Sequence, residues 1–197
     1  MYVIGLTGGV GSGKTAAAGK LAELVGAKLL IADELGHVVM EKGAEGYHKI
    51  VDAFGSRILD NQGNIDRKML SGIVFGNPES LERLNEIVHP AVKSYLKEYI
   101  DRRRKETGCI VLETAIMFET GCDELCDEVW YVYVPPEVRM ERLAVNRGYT
   151  EEKSMAIMQQ QLAEEEFRKR CKHEIWNGGS VQELENGIRE LCKSRNF

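Results

Sequence analysis

The stretch Gly8-Gly9-Val10-Gly11-Ser12-Gly13-Lys14-Thr15 has the spacing G-x-x-x-x-G-K-[ST]. Glycines at these places let successive backbone N–H groups turn toward one point without Cβ clashes. A helix starting just behind them adds its partial positive charge at that point. Lys14 then reaches the outer phosphates of a nucleotide, and the Thr15 hydroxyl can ligate Mg²⁺. Gly9, Val10, Gly11, Ser12, Gly13, Lys14 and Thr15 are therefore the expected contacts to a nucleoside triphosphate. Three more residues extend the chemistry. Asp33 follows a short apolar run, where a carboxylate can take the proton of an attacking hydroxyl; outer-sphere Mg²⁺ binding and helix capping are its alternatives. Glu113 closes another apolar run, where P-loop proteins carry a carboxylate associated with Mg²⁺; the alternative is a strand-end charge facing water. Arg142 lies in a locally basic stretch and is expected on phosphate, where an arginine stabilises charge developing on a transferred group.

These residues need a scaffold. Val3 to Leu6 reads as a buried strand, Ala16 to Leu24 as a helix ended by Gly26, and Lys28 to Ile31 as a second strand. Strand, helix and strand in so short a span make a βαβ unit, so the sheet should be parallel. Ligands of such sheets bind beyond the carboxyl ends of the strands, which places Asp33 at the same edge as the glycine loop. Cys109 to Leu112, the aromatic and β-branched run Glu128 to Val134, and His173 to Trp176 supply three more strands. Ser180 is a suitable N-cap for a last helix, Val181 to Cys192. Between strands two and three the chain is mostly helical. Ile50, Val51 and Phe54 form one apolar face, and Leu81, Leu84, Ile87 and Val88 form another before His89-Pro90. Val92, Tyr95, Leu96, Tyr99 and Ile100 form a third, closed by the basic run Arg102 to Lys105. An insert of this length is too large for a simple crossover and reads as a lobe suited to a second substrate. From Arg139 to Lys172 the chain carries eight Lys or Arg against six Asp or Glu, consistent with a mobile cover over phosphates. Within it, Arg168 to Lys172 reads as an ordinary solvated face with i,i+4 ion pairs.

Composition limits the alternatives. The chain has 197 residues, 43% hydrophobic and 29% charged, with a formal net charge of −5. That charge argues against a general nucleic-acid-binding role. No window approaches the roughly 18 consecutive apolar residues of a membrane span. The N-terminus enters a strand directly, without a basic leader, so a cytoplasmic location is expected. Five cysteines, Cys109, Cys122, Cys126, Cys171 and Cys192, have irregular spacing and read as reduced structural thiols.

Read together, several segments resemble the dephospho-CoA kinase family. Leu6-Thr7-Gly8-Gly9-Val10-Gly11-Ser12-Gly13-Lys14-Thr15 is similar to that family's L-T-G-G-I-G-S-G-K-[ST]. Ala32-Asp33 with Val38-Val39 resembles its D-A-D and V-V segment, and His89-Pro90 its H-P. Val111 to Glu119 resembles V-[LV]-[DE]-I-P-L-L-F-E, Gln161 the glutamine closing the lid helix, and Ile175 to Ser180 its I-D-N-x-G-S. Departures are Ile31 for the first acidic residue of D-A-D, Ala115 for a proline and Trp176 for an aspartate. The lid's R-D and its arginine before I-x-x-Q are also missing; the segments read Asn146-Arg147-Gly148 and Ala156-Ile157.

The resemblance implies an α/β, P-loop NTPase-type parallel five-stranded sheet flanked by helices, with a helical substrate-binding insert and a helical lid. The nucleotide-binding core would be 1–36, 107–136 and 172–197, the CoA-binding lobe 37–106 and the lid 137–171. It implies Asn177 on the adenine side, and ATP and Mg²⁺ as cofactors. It also implies phosphorylation of the ribose 3′-hydroxyl of dephospho-CoA to give CoA and ADP, the final step of coenzyme A synthesis. No nucleic-acid or membrane partner is expected, and a monomer is expected, with weak self-association the alternative. Other readings of the same loop are a nucleoside or nucleotide kinase and a nucleotide-dependent switch. The chain lacks an N-K-x-D segment for guanine, which counts against the switch.

Overall fold

The computed structural model describes residues 1–193; residues 194–197 of the expected core segment 172–197 lie outside the described residues. Its centre is a five-stranded sheet in the order β2-β3-β1-β4-β5. The strands are β1 (Tyr2–Thr7), β2 (Lys28–Ile31), β3 (Cys109–Glu113), β4 (Glu128–Tyr133) and β5 (His173–Trp176), and every pairing is parallel. A central strand of a parallel sheet is covered on both faces, which is why β1 and β3 read as continuous apolar runs rather than alternating ones. Val3, Ile4, Leu6, Ile110, Val111 and Leu112 are all fully buried.

The register sets the functional edge. Leu6 and Ile31 both pair with Glu113, and Thr7 pairs with Tyr131. The carboxyl ends of four adjacent strands thus deliver Thr7, Ile31, Glu113 and Tyr131 to one edge. Helices α1 (Lys14–Val25) and α9 (Val181–Lys193) bury Ala17, Ala18, Leu21, Leu184 and Ile188 in one cluster with Ile4, Leu6, Val111, Trp130 and Ile175. Small alanines in α1 let that helix approach the strands closely. Ser180 caps α9 reciprocally with Glu183: the Glu183 carboxylate accepts from the Ser180 amide at 2.7 Å, and the Ser180 hydroxyl accepts from the Glu183 amide at 3.3 Å.

The chain divides into two compact units, Met1–Ile31 with the chain from Arg104 onward, and Ala32–Arg103. The first also contains α6 (Pro136–Arg147), α7 (Glu151–Gln159) and α8 (Glu164–Arg170). Phe167 of α8 stacks on Tyr131 of β4, ring centroids 4.8 Å apart. The second unit comprises α2 (Ala32–Val38), α3 (Glu45–Phe54), α4 (Arg67–Val74) and α5 (Pro78–Arg103). Its core is Ile50, Phe54, Ile58 and Leu70, with Leu84, Ile87 and Val88 packed on it.

The two apolar faces on either side of His89-Pro90 belong to one 26-residue helix, α5, which runs through Pro90. A proline in a helix removes one hydrogen bond. Here the i+4 series Leu84, Val88, Val92, Leu96 and Ile100 keeps one packed face on both sides of it, and that burial outweighs the missing bond.

Candidate active site

The glycine loop leaves β1 at Thr7 and enters α1 at Lys14. Gly11 and Gly13 have φ of 79° and 74°, a region that side chains with a Cβ avoid. The Ser12 amide donates to the Gly9 carbonyl at 3.1 Å and closes the turn. Lys14 Nζ donates to the same Gly9 carbonyl at 3.2 Å, so the lysine lies across the loop.

Two side chains from distant segments hold the loop's carbonyls. Asn177, 8% exposed, donates from Nδ2 to the Ser12 carbonyl at 2.8 Å. Arg139, 6% exposed, donates from Nε to the Val10 carbonyl at 2.8 Å. The C=O and N–H of one trans peptide point in opposite directions. Fixing the Val10 carbonyl therefore turns the Gly11 N–H away from Arg139, and fixing the Ser12 carbonyl turns the Gly13 N–H away from Asn177. Both N–H groups belong to the loop that cradles phosphates in this motif.

Arg142 donates to the Asn177 backbone carbonyl at 2.8 Å, which ties α6 to the turn after β5. Gln161, between α7 and α8, accepts from the Val10 amide at 2.8 Å and from Arg139 at 3.0 Å.

At the strand ends, the Thr15 hydroxyl donates to Glu113 Oε2 at 3.1 Å. Glu113 is 3% exposed, so it is not a carboxylate facing water. The hydroxyls of Thr7 and Ser12 are buried and have no hydrogen-bond partner among the described residues. Orphaned polar groups at the start of and within an anion-binding loop fit a site made for a polar ligand. The donors Thr15 and Glu113 are hard oxygens, suited to Mg²⁺. No group of three His, Cys, Asp or Glu side chains that could hold a metal occurs among the described residues. A divalent ion here would take its remaining ligands from phosphate and water, as Mg²⁺ commonly does.

Asp33 is exposed in the first turn of α2, in the second unit. Within that unit His89 is half-buried, and burial lowers its pKa while the Asp33 carboxylate opposes the shift. The basic run Arg168 to Lys172 is occupied with carboxylates: Arg168 with Glu174 and Glu164, Lys169 with Glu166, Arg170 with Asp123, and Lys172 with Glu128. All five cysteines are free, and burial pushes the Cys109 thiol up to about 11. No described helix is long and apolar enough to cross a membrane.

Sequence reasoning placed Lys14, Thr15 and Glu113 where the loop and strand ends now bring them together. It did not foresee that Arg139 and Gln161 grip Val10. One signal for Arg139 was present: it stands four residues before buried Leu143, on the apolar face of α6, where an arginine needs a reason.

A parallel sheet with its central strand leading through a phosphate-type glycine loop into a helix defines a P-loop nucleotide-binding protein. The model of the dephospho-CoA kinase family matches residues 2–183. The dephospho-CoA kinase of Dehalococcoides mccartyi is 38% identical over 200 residues, covering 99% of this chain and 98% of that one. A crystal structure of a Thermus thermophilus protein aligns with a TM-score of 0.76 at 30% identity, covering 98% of this chain and 97% of that one. Dephospho-CoA kinase from Campylobacter jejuni shares the fold, with a TM-score of 0.72 at 24% identity over 99% of this chain and 98% of that one. The chain belongs to the dephospho-CoA kinase family.

Proposed function

We propose that this chain transfers the γ-phosphoryl group of ATP to the ribose 3′-hydroxyl of dephospho-CoA, giving CoA and ADP, the final step of coenzyme A biosynthesis. The observation that carries this reading is a complete phosphate loop, with Lys14, Thr15 and buried Glu113 in place, in a chain that its family matches over residues 2–183.

In the proposed reaction the Asp33 carboxylate accepts the proton of the 3′-hydroxyl as its oxygen bonds to the γ-phosphorus. The bond from that phosphorus to the β,γ-bridging oxygen breaks, and its electron pair leaves with ADP. Lys14 and Arg142 offset the charge on the transferred group, and the amides of Gly11, Gly13, Lys14 and Thr15 orient the phosphates, those of Val10 and Ser12 being engaged with Gln161 and the Gly9 carbonyl. Such catalysis is mostly positioning and neutralisation of charge. Thr15 and Glu113 would hold Mg²⁺, which would supply further charge neutralisation to the phosphates. In this reading Asn177 serves the adenine side, and 137–171, whose Arg139 and Gln161 bond the loop, acts as a lid that excludes water.

The lobe is proposed to hold the acceptor. Within it, His37, Glu41, Lys42, Asn64 and Arg67 line an open cleft of about 390 Å³, where Lys42 and Arg67 against one carboxylate suit a substrate carrying phosphates. The reading carries with it a cytoplasmic monomer acting without nucleic acid.

The test is ADP release from ATP and Mg²⁺ in the presence of single acceptors: dephospho-CoA, a nucleoside, a nucleoside monophosphate and a sugar acid. Release with dephospho-CoA alone is expected. Release with another acceptor only, or equally fast with none, would refute the reading.

A further inference from the structure

We propose that Arg139 is a positioning residue for the nucleotide, fixing the Val10–Gly11 peptide of the phosphate loop and keeping there a buried positive charge that the triphosphate completes. The inference rests on the ATP-binding half of the function proposed above and is independent of the acceptor.

Three observations support it. First, Arg139 uses two different nitrogens in one closed ring. Nε holds the Val10 carbonyl at 2.8 Å, a terminal nitrogen holds Gln161 Oε1 at 3.0 Å, and Gln161 in turn holds the Val10 amide at 2.8 Å. Both polar backbone groups of Val10 are thereby taken on the α6–α7 side. The Gly11 N–H is turned away from them, because it shares a peptide plane with the Val10 carbonyl.

Second, the loop has been shaped to admit the guanidinium. A Cβ on Gly9 would collide with three guanidinium atoms of Arg139, and a Cβ on Gly11 would lie 2.9 Å from the Arg139 carbonyl.

Third, no carboxylate forms an ion pair with Arg139 among the described residues. Glu164, the carboxylate that bears on it, is already paired with Arg168 at 3.3 Å. The Tyr131 phenol beside it stays neutral, since burial raises its pKa. Removing an arginine from water without a carboxylate is unfavourable, and such a residue is retained where an anion arrives. The chain also lacks the arginine that its family resemblance leads one to expect before I-x-x-Q, where Ala156-Ile157 stand. Arg139 reaches the same glutamine, Gln161, from α6 instead.

A brace that merely holds the fold and a brace that serves the nucleotide make different predictions. Arg139→Gln keeps a hydrogen-bond donor and drops the charge. Calorimetric titration with a non-hydrolysable ATP analogue and with AMP, alongside the melting temperature of the free protein, separates the two. The expected result is affinity for the analogue weakened about tenfold to a hundredfold. Affinity for AMP should change less than about threefold, and the free protein should melt no lower than the wild type. Arg139→Lys, which keeps the charge, should recover most of the lost affinity. The proposal is overturned if Arg139→Gln binds the analogue as the wild type does. Equal weakening of the analogue and AMP, or a lower melting temperature with affinity unchanged, would also overturn it. If Arg139→Gln does not fold, Arg139→Lys decides: affinity for the analogue within about threefold of wild type supports the charge, and a Lys variant as weak as Lys14→Ala refutes it. None of these titrations contains an acceptor, so a failed dephospho-CoA assay would leave their outcome intact.

Discussion

In the sheet unit, residues of the nucleotide site are held by side chains from far along the chain. Val10 is gripped by Arg139 and Gln161, 129 and 151 residues downstream, and Ser12 by Asn177, 165 residues downstream. In the lobe, the residues with chemistry to offer, Asp33, His37, Lys42 and Arg67, are all exposed. The lobe's apolar cluster, Ile50, Phe54, Ile58 and Leu70, serves packing. The first unit therefore presents a cradle whose geometry is set before any ligand arrives. The second presents an exposed polar surface, on which Lys42 donates to the Gln62 carbonyl at 2.9 Å. Preorganised donors stabilise developing charge without reorganisation, whereas an exposed carboxylate can reorient toward a substrate.

That contrast can be broken by mutation, beginning with the largest effect. Asp33→Asn should lower kcat by about 10²- to 10⁴-fold while ATP affinity and thermal stability stay near wild type. Steady-state kinetics with calorimetry checks this, and parallel losses of turnover and ATP binding would remove Asp33 as the base. Glu113→Gln should weaken Mg²⁺ activation by about ten- to a hundredfold, measured as the Mg²⁺ concentration for half-maximal rate. Asn177→Ala should lower unfolding free energy by about 1–3 kcal/mol in denaturant titration, because it leaves the buried Ser12 carbonyl without its donor. A stability effect of that size from Asp33→Asn instead would invert the comparison.

The smallest effect concerns pH. Burial holds His89 below its ordinary value of 6.5 in the folded lobe, with Asp33 pulling the other way. The unfolded chain therefore binds a proton that the folded lobe resists, and stability falls as pH drops below about 6.5. His89→Gln should make the loss of stability between about pH 7.5 and pH 5.5 shallower. Asp33→Asn, by removing the opposing carboxylate, should make it steeper.

The strands and the loop were legible because their signals are local. A buried parallel strand is an apolar run, and a phosphate loop is a string of glycines before a lysine. The helical lobe was legible as apolar faces, but not as one helix through Pro90, because the propensity against proline is local and the packing that overrides it is not. The grip on Val10 was least legible. Nothing in the spacing of Arg139 and Gln161 refers to the loop, and only the folded sheet brings α6 and the α7–α8 corner to it. Asn177 is similar: no local signal ties it to the loop, yet its amide donates to the Ser12 carbonyl.

The most direct test is product analysis after incubating the protein with ATP, Mg²⁺ and dephospho-CoA. The account predicts one product heavier by a single phosphoryl group, with the phosphate on the ribose 3′-oxygen, formed in step with ADP. Unchanged dephospho-CoA, or a phosphate on any other oxygen, would contradict it.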